Sequence, residues 1–575
     1  MINFALLKQL LGYSLIHRRL QTLSVVCLII LTALAESVTI GAVVPLVSFI
    51  SNQEAMLSNN LFISYLEMLS TFINVDDMTI LVISSFAIIV ILAIIIRLLG
   101  LLASTKLVND ISFDLSIDIF NKSLNQPYEY HLSQNSSEVI AGINKVMALN
   151  GGVFFPMIQA ITGLLVSASI VIILFIIDAV TAAILGISFL IIYTLILALT
   201  RYILNRNSIS IAKVNSSRIR SIQESWGAIR DIIIGQLHTI YIDFFKSSES
   251  EFKKASIQNA FISASPKLFI EGVGILILLG VILYLSSKHG IQGILPSIAA
   301  IALGSQKIIP AFQQLFNAWS RLAGNRQLIL DVLELLELKL DIRGNSNTKI
   351  VKFNEAIVLE DVNFKYVEGD DYILKDINLC IQKGQSIGII GSTGSGKTSL
   401  VDLIMGLILP SSGKMYVDDQ EINSTSLASW QSFISHVPQH IFLSDASIIE
   451  NIAFGKRRKE IDIDRINTIL KVACLDKLVD DLPDGLNTKV GERGARLSGG
   501  QIQRIGIARA LYYETALLVL DEATSALDSN TEAAVMENIQ SFDSDITIIM
   551  IAHRLSTLTE CNKIVELDKG RIISQ

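Results

Sequence analysis

From Thr79 to Ser104 the chain is apolar except for one charged side chain, Arg97. About 20 residues at a rise of 1.5 Å cross the ~30 Å hydrocarbon core of a bilayer. Lipid offers no partners to the backbone, which leaves a helix or a closed barrel as the only spanning structures. The run is continuous rather than alternating, so it reads as helix. Further apolar spans cover roughly 22–50, 153–177, 179–200, 268–286 and 291–316, making six. A hydrophobic fraction of 51% and a mean hydropathy of +0.53 agree with a chain partly solvated by lipid. Lys8, Arg18 and Arg19 precede the first span, which is longer and further in than the core of a signal peptide and so reads as an uncleaved helix.

The connections fix the orientation. Residues 51–78 contain Glu54, Glu67, Asp76 and Asp77 but no Lys or Arg, whereas 201–267 is rich in both. The positive-inside rule places both termini in the cytoplasm, in a multi-pass protein of the cell's inner (plasma) membrane. Spans three and four are separated only near Asp178, as in a helical hairpin. The external stretch carries a helical stripe of Leu61, Tyr65, Met68, Leu69 and Phe72, suited to the membrane interface. A net charge of −7 argues against nucleic acid as a partner, and four scattered cysteines without CxxC spacing argue against zinc or a disulfide framework.

A second feature lies beyond the last span. Gly391-Ser-Thr-Gly-Ser-Gly-Lys-Thr398 has the spacing GxxxxGK[ST] between an apolar run, Ser386 to Ile390, and a helical one, Ser399 to Gly406. In that setting the N–H groups of Ser392, Thr393, Gly394, Ser395, Gly396 and Ser399 face phosphate oxygens at a helix N-terminus. Lys397 reaches the β- and γ-phosphates of ATP, and the Thr398 hydroxyl sits on Mg²⁺. Glycine at 394 and 396 keeps a side chain from holding the backbone off the anion. Leu517-Leu-Val-Leu-Asp-Glu522 reads as a buried parallel strand ending in two carboxylates, Asp521 for the metal and Glu522 as general base. Leu497-Ser-Gly-Gly-Gln501 leads into a helix from about Ile502 to Leu511, another N-terminus available to phosphate.

These motifs, from Ile357 to the C-terminus, resemble the nucleotide-binding domain of ABC transporters. The resemblance implies that Tyr366 stacks on adenine, that Gln439 touches Mg²⁺, that Asp528 closes a D-loop, and that His553 contacts the γ-phosphate. Val490-Gly-Glu-Arg-Gly494 matches the family's exporter-type X-loop. It further implies that Ser498, Gly499, Gly500 and Gln501 complete the site of a second chain, with a homodimer the simpler assembly and a heterodimer left open. The polar connections 106–151 and 201–266 then correspond to helices extended into the cytoplasm, with coupling segments near Pro127–Ser137 and Ser221–Gly235.

Four charges lie within spans, Glu36, Arg97, Glu271 and Lys307, where burial costs about 2.5–3.5 kcal/mol on insertion scales, so they are expected to face a water-filled cavity or one another. Arg97 sits ~27 Å from the start of its span, near the inner edge, where snorkelling to the cytoplasmic headgroups is an alternative, as it is for Lys267. Arg97, Lys267, Glu271 and Lys307 are the candidate substrate-cavity residues, with Lys307 the deepest. Glu36-Ser-Val-Thr-Ile-Gly-Ala-Val-Val-Pro45 and Pro266-Lys-Leu-Phe-Ile-Glu-Gly272 resemble segments of bacterial lipid-linked oligosaccharide flippases, which implies an amphipathic, anionic, lipid-linked substrate. Other lipids, peptides and polysaccharide precursors remain alternatives. The expectation is an all-α six-helix transmembrane domain (1–325), a linker (326–350) and an α/β P-loop ABC nucleotide-binding domain (351–575). ATP and Mg²⁺ are its cofactors, and a second copy of the chain and membrane lipid are its partners.

Overall fold

The computed structural model describes residues 4–15, 18–43, 46–47, 78–133, 136–177, 179–289, 291–340, 351–366, 371–551 and 561–575. They form two compact units, Met1–Leu124 with Gln134–Lys339, and Asn125–Ser133 with Leu340–Gln575.

The helices begin with α1 (Phe4–Leu15), α2 (Arg19–Gly41), α3 (Met78–Leu124) and α4 (Tyr128–Ser133), the last belonging to the second unit. They continue with α5 (Ser136–Leu149), α6 (Phe155–Ile177), α7 (Ala179–Gly227), α8 (Ile229–Ile234), α9 (His238–His289), α10 (Ile291–Gly324) and α11 (Arg326–Glu337). Among the described residues, four segments are long and apolar enough to cross a membrane: Arg19–Gly41, Thr79–Leu124, Gly142–Ile176 and Gly186–Gly227. The two remaining apolar spans of the sequence lie on α9 and α10. The stripe at 61–72 and the turn at Asp178 lie outside the described residues.

At 47, 49 and 52 residues, α3, α7 and α9 far exceed what the hydrocarbon core requires. At 1.5 Å per residue each is on the order of 70–80 Å long, against ~30 Å for the apolar slab. Their polar halves therefore extend beyond lipid. Along α3 the contact residues recur in steps of four, Leu107, Ile111, Leu115 and Ile119, all buried with Leu10, Val146 and Leu149. The other face of its apolar half exposes Ile88, Ile91, Leu92, Ile95 and Leu102, as a lipid-facing surface requires. Helices α6 and α10 approach so closely at Gly163 that a Cβ there would lie 2.7 Å from the Ala311 carbonyl oxygen.

The expected linker 326–350 begins with ordered structure. Helix α11 buries Ile329, Val332, Leu333 and Leu336 in the same core as Leu107 and Ile111, so its apolar stripe ties it to the first unit. Across 221–235, the second candidate coupling segment, α7 continues to Gly227 and α8 follows it.

In the second unit, a four-stranded antiparallel sheet has the order β2-β1-β4-β5, and a six-stranded sheet has the order β10-β9-β3-β8-β7-β6. The strands are β1 (Ala356–Phe364), β2 (Leu374–Gln382), β3 (Ser386–Gly391), β4 (Ser412–Val417), β5 (Gln420–Glu421), β6 (Ile434–Val437), β7 (Leu517–Asp521), β8 (Thr547–Ile551), β9 (Lys563–Asp568) and β10 (Arg571–Ser574). Pairings β3–β8, β3–β9, β6–β7 and β7–β8 are parallel. Both faces of this sheet are covered. Leu517 and Val519 of β7 enter one core, with β1, β2 and β3, while Leu518 and Leu520 enter another, built largely from helices. A strand buried on both faces has no polar side, which is why Leu517–Leu520 is continuously apolar.

The helices here are α12 (Lys397–Ile404), α13 (Leu427–Gln431), α14 (Ile448–Ile452), α15 (Ile463–Val472), α16 (Asp476–Asp480), α17 (Gly499–Tyr512) and α18 (Ser529–Phe542). Tyr128 of α4 packs on the core that holds α12, which accounts for residues 125–133 belonging to this unit.

Candidate functional site

Strand β3 delivers the chain to the glycine-rich loop and α12 receives it. Gly391 has φ +149°, and a Cβ there would lie 2.2 Å from the Leu567 carbonyl oxygen and 2.6 Å from Ser395 Oγ. The constraint at Gly394 is conformational rather than steric, because φ is +82° while nothing lies within 4 Å of its Cβ position. Gly396 caps α12 in the left-handed region at φ +102°. Lys397 is buried, and its ammonium donates to the carbonyls of Gly391 (2.8 Å) and Ser392 (3.0 Å), which folds the loop around it. Ser395 Oγ is buried without a hydrogen-bond partner. Such an orphan inside a loop of aligned N–H groups fits an oxygen-rich anion.

At the C-terminal end of β7, Asp521 is followed by Glu522 at φ +49°, an uncommon conformation for a side chain of this size. The Gln439 amide donates to Glu522 Oε2 at 2.7 Å. Asp402 of α12 is buried, and burial, reinforced by the charge of Asp521, pushes its carboxyl up to about 6. Burial likewise raises the Tyr128 phenol, with the charges of Asp402 and Tyr366 adding to it, so α4 borders this electrostatic environment. Tyr366 is 40% exposed and meets Phe364 edge-on at 4.9 Å. Its outer face is therefore accessible.

The helix after Leu497 begins earlier than the sequence suggests, at Gly499, because Ser498 caps it. The Ser498 N–H donates to Gln501 Oε1 (2.8 Å), and the Gln501 N–H donates to Ser498 Oγ (3.3 Å), closing a capping box. The first-turn N–H groups of Gly499 and Gly500 have no intrahelical acceptor. Gln503 is a residue the sequence reading missed. Buried one turn in, it donates to Ser525 Oγ (3.1 Å) and accepts from the Ala526 N–H (2.8 Å), bracing the loop that follows Glu522. Its signal was a second glutamine two positions after Gln501. Asp528 caps α18, and hydrogen bonds from Thr531 hold its carboxyl below the usual range. His553 lies outside the described residues.

In the first unit three of the charged residues within spans, Glu36, Arg97 and Lys307, face one another. Glu36 is buried, with its two oxygens bonded separately to Arg97 (2.9 Å) and Lys307 (2.8 Å). An ion held in apolar surroundings takes the nearest opposite charge, which here outweighs a purely cavity-facing or snorkelling role. Arg97 still lines a cavity of about 340 Å³ with Thr32, Gln159 and Gln314. Lys267 lies 3.8 Å from Glu271 and lines a second cavity of about 620 Å³. That one is walled by Asn259, Ser263, Gln313, Asn317 and Ser320, polar residues at helical spacing on α9 and α10 that the sequence reading passed over in favour of formal charges.

Bilayer-length helices and a P-loop fold with a second phosphate-facing helix start, all on one chain, define a membrane protein with an ABC-type nucleotide-binding domain. Residues 374–525 match the ABC transporter family model, and residues 23–305 match the model of the ABC transporter transmembrane region. The chain belongs to the ABC transporter family, with that family's transmembrane and ATP-binding regions on one polypeptide.

Among curated relatives, an ATP-dependent lipid A-core flippase of Cupriavidus pinatubonensis is 40% identical over 38% of this chain and 37% of its own length. ABC transporter B family member 29, chloroplastic, of Arabidopsis thaliana is 32% identical over 56% of this chain and 50% of its own. The chain spans about half or less of the length of these relatives. Among solved structures, a bacterial Atm1-family ABC exporter with ATP bound matches with a TM-score of 0.77 at 19% identity, covering 97% of this chain and 94% of that one. That likeness concerns the fold alone.

Proposed function

We propose that two copies of this chain form an ATP-driven exporter or flippase for an amphipathic anion. The favoured cargo is a lipid-linked oligosaccharide or related glycolipid, moved from the cytoplasmic leaflet across the inner membrane. The observation that carries the hydrolytic half is Glu522, held at φ +49° and hydrogen-bonded by Gln439 where β7 ends. Non-glycine residues in that region persist where the surroundings over-determine them, and such positions cluster at functional sites.

In the proposed reaction, ATP lies along the loop from Ser392 to Gly396 with its adenine on Tyr366. Lys397 turns from the loop carbonyls to the β- and γ-phosphates. Thr398, Gln439 and Asp521 supply the hydroxyl, amide and carboxylate oxygens suited to Mg²⁺, which would neutralise phosphate charge when bound. Glu522 takes a proton from the attacking water as the water oxygen bonds to the γ-phosphorus and ADP leaves. Ser498 to Gln501 of the second copy present their helix N-terminus to the same γ-phosphate, so nucleotide draws the two copies together. Tyr128 anchors α4 to the core that holds α12, and the chain runs directly from α3 into α4, so the closure reaches the membrane helices along the backbone itself.

The flippase reading draws support from relatives named as lipid A-core flippases and from the cations on α3, α9 and α10. The test is ATPase stimulation in proteoliposomes by a panel of polyprenyl-diphosphate glycans, phospholipids and peptides. Lipid-linked glycans are expected to stimulate several-fold; stimulation by peptides alone would overturn the cargo assignment.

A further inference from the structure

The Glu36 cluster is unbalanced. One carboxylate on α2 serves two cations, Arg97 of α3 and Lys307 of α10, and among the described residues no second carboxylate is bonded to either. The cluster therefore carries one surplus positive charge inside apolar spans. The three members differ in access. Glu36 is 7% exposed at its side chain, Lys307 36% and Arg97 53%. Arg97 is the cation that faces open space, the cavity of about 340 Å³ that Gln159 and Gln314 also line. That volume suits a phosphate or diphosphate group and not a chain of sugars.

We infer that Glu36 is a specificity-determining residue, a built-in counter-anion that sets the cluster one negative charge short, so that the Arg97 cavity takes the phosphate end of an anionic lipid. This rests on the cargo reading above and sharpens it. With lipid phosphate on Arg97, Glu36 keeps Lys307 and the surplus charge is cancelled. A zwitterionic headgroup brings its own cation and offers no such gain. Without Glu36 the cluster would hold two uncompensated cations and take anions with less discrimination.

The test uses the full-length chain in nanodiscs of phosphatidylcholine doped with phosphatidic acid, with lipid bound per protomer counted by native mass spectrometry. Glu36→Gln is expected to bind phosphatidic acid roughly fivefold more tightly, and Lys307→Gln roughly fivefold more weakly, the scale of one charge at a partly exposed site. The double variant Glu36→Gln/Lys307→Met restores the net charge and is expected to return to within about twofold of the parent. It also answers a Glu36 variant that merely fails to fold. An unchanged or weaker affinity in Glu36→Gln, or no recovery in the double variant, overturns the inference. Competition by inorganic phosphate as strong as by the lipid overturns the assignment to a lipid headgroup. A parent chain that binds no phosphatidic acid overturns the cargo reading as well.

Discussion

Glu522→Gln is expected to retain ATP and to turn it over at least about 10³-fold more slowly, within the range general-base catalysis contributes. The substitution is isosteric and leaves an oxygen to accept the Gln439 amide, so the 2.7 Å contact and the φ of +49° are preserved. What disappears is the carboxylate proposed to take the proton from water. In the proposed site nucleotide is held by the loop, Lys397 and Tyr366, none of which changes. The check pairs steady-state phosphate release with the ATP that stays on the protein after rapid gel filtration. Turnover within about tenfold of the parent would mean that another group is the base.

The second large effect is at Gly391. In Gly391→Ala the new Cβ would overlap the Leu567 carbonyl oxygen at 2.2 Å, and Leu567 is the β9 residue paired with Gly391. Backbone cannot yield as a flexible side chain can, so the β3–β9 register must open at the point where it aims the loop. The expected outcome is a loss of roughly 3–5 kcal/mol of stability, the tail reserved for steric clashes and special backbone conformations, together with loss of ATP binding. Gly394→Ala, at an open position, retains the fold and strains only its own φ. Thermal unfolding of the two variants with and without ATP separates them, and equal melting temperatures would refute the steric account.

The P-loop, the strand before it and the helix after it were legible because phosphate binding fixes both residue type and spacing. The span positions were legible because lipid leaves the backbone so few choices. The two-sided burial of β7 was foreseen from its unbroken run, but not which leucine enters which core, since a continuous run carries no periodicity. The stretch of helix α11 is helix-like in sequence, with Leu330, Leu333 and Leu336 among charges, but its packing on the first unit is not legible there. Their stripe becomes meaningful only when α3 and α5 are there to receive it. Gln503 was hidden because its partners, Ser525 and Ala526, lie more than twenty positions away. Glu36 was recognised as a costly charge, yet its partner Lys307 is 271 residues distant, beyond any local pattern.

In the proposed dimer the loop of one copy and the helix start of another enclose a single ATP. Ser392 and Ser498 are both exposed, so a chain with the native cysteines replaced and carrying Ser392→Cys with Ser498→Cys places one thiol on each side of that seam. With ATP and Glu522→Gln to hold the closed state, oxidation is expected to yield a species of twice the chain mass that reverts on reduction. Cross-linking confined to single chains, with the same thiols reacting and ATP bound, would contradict the account.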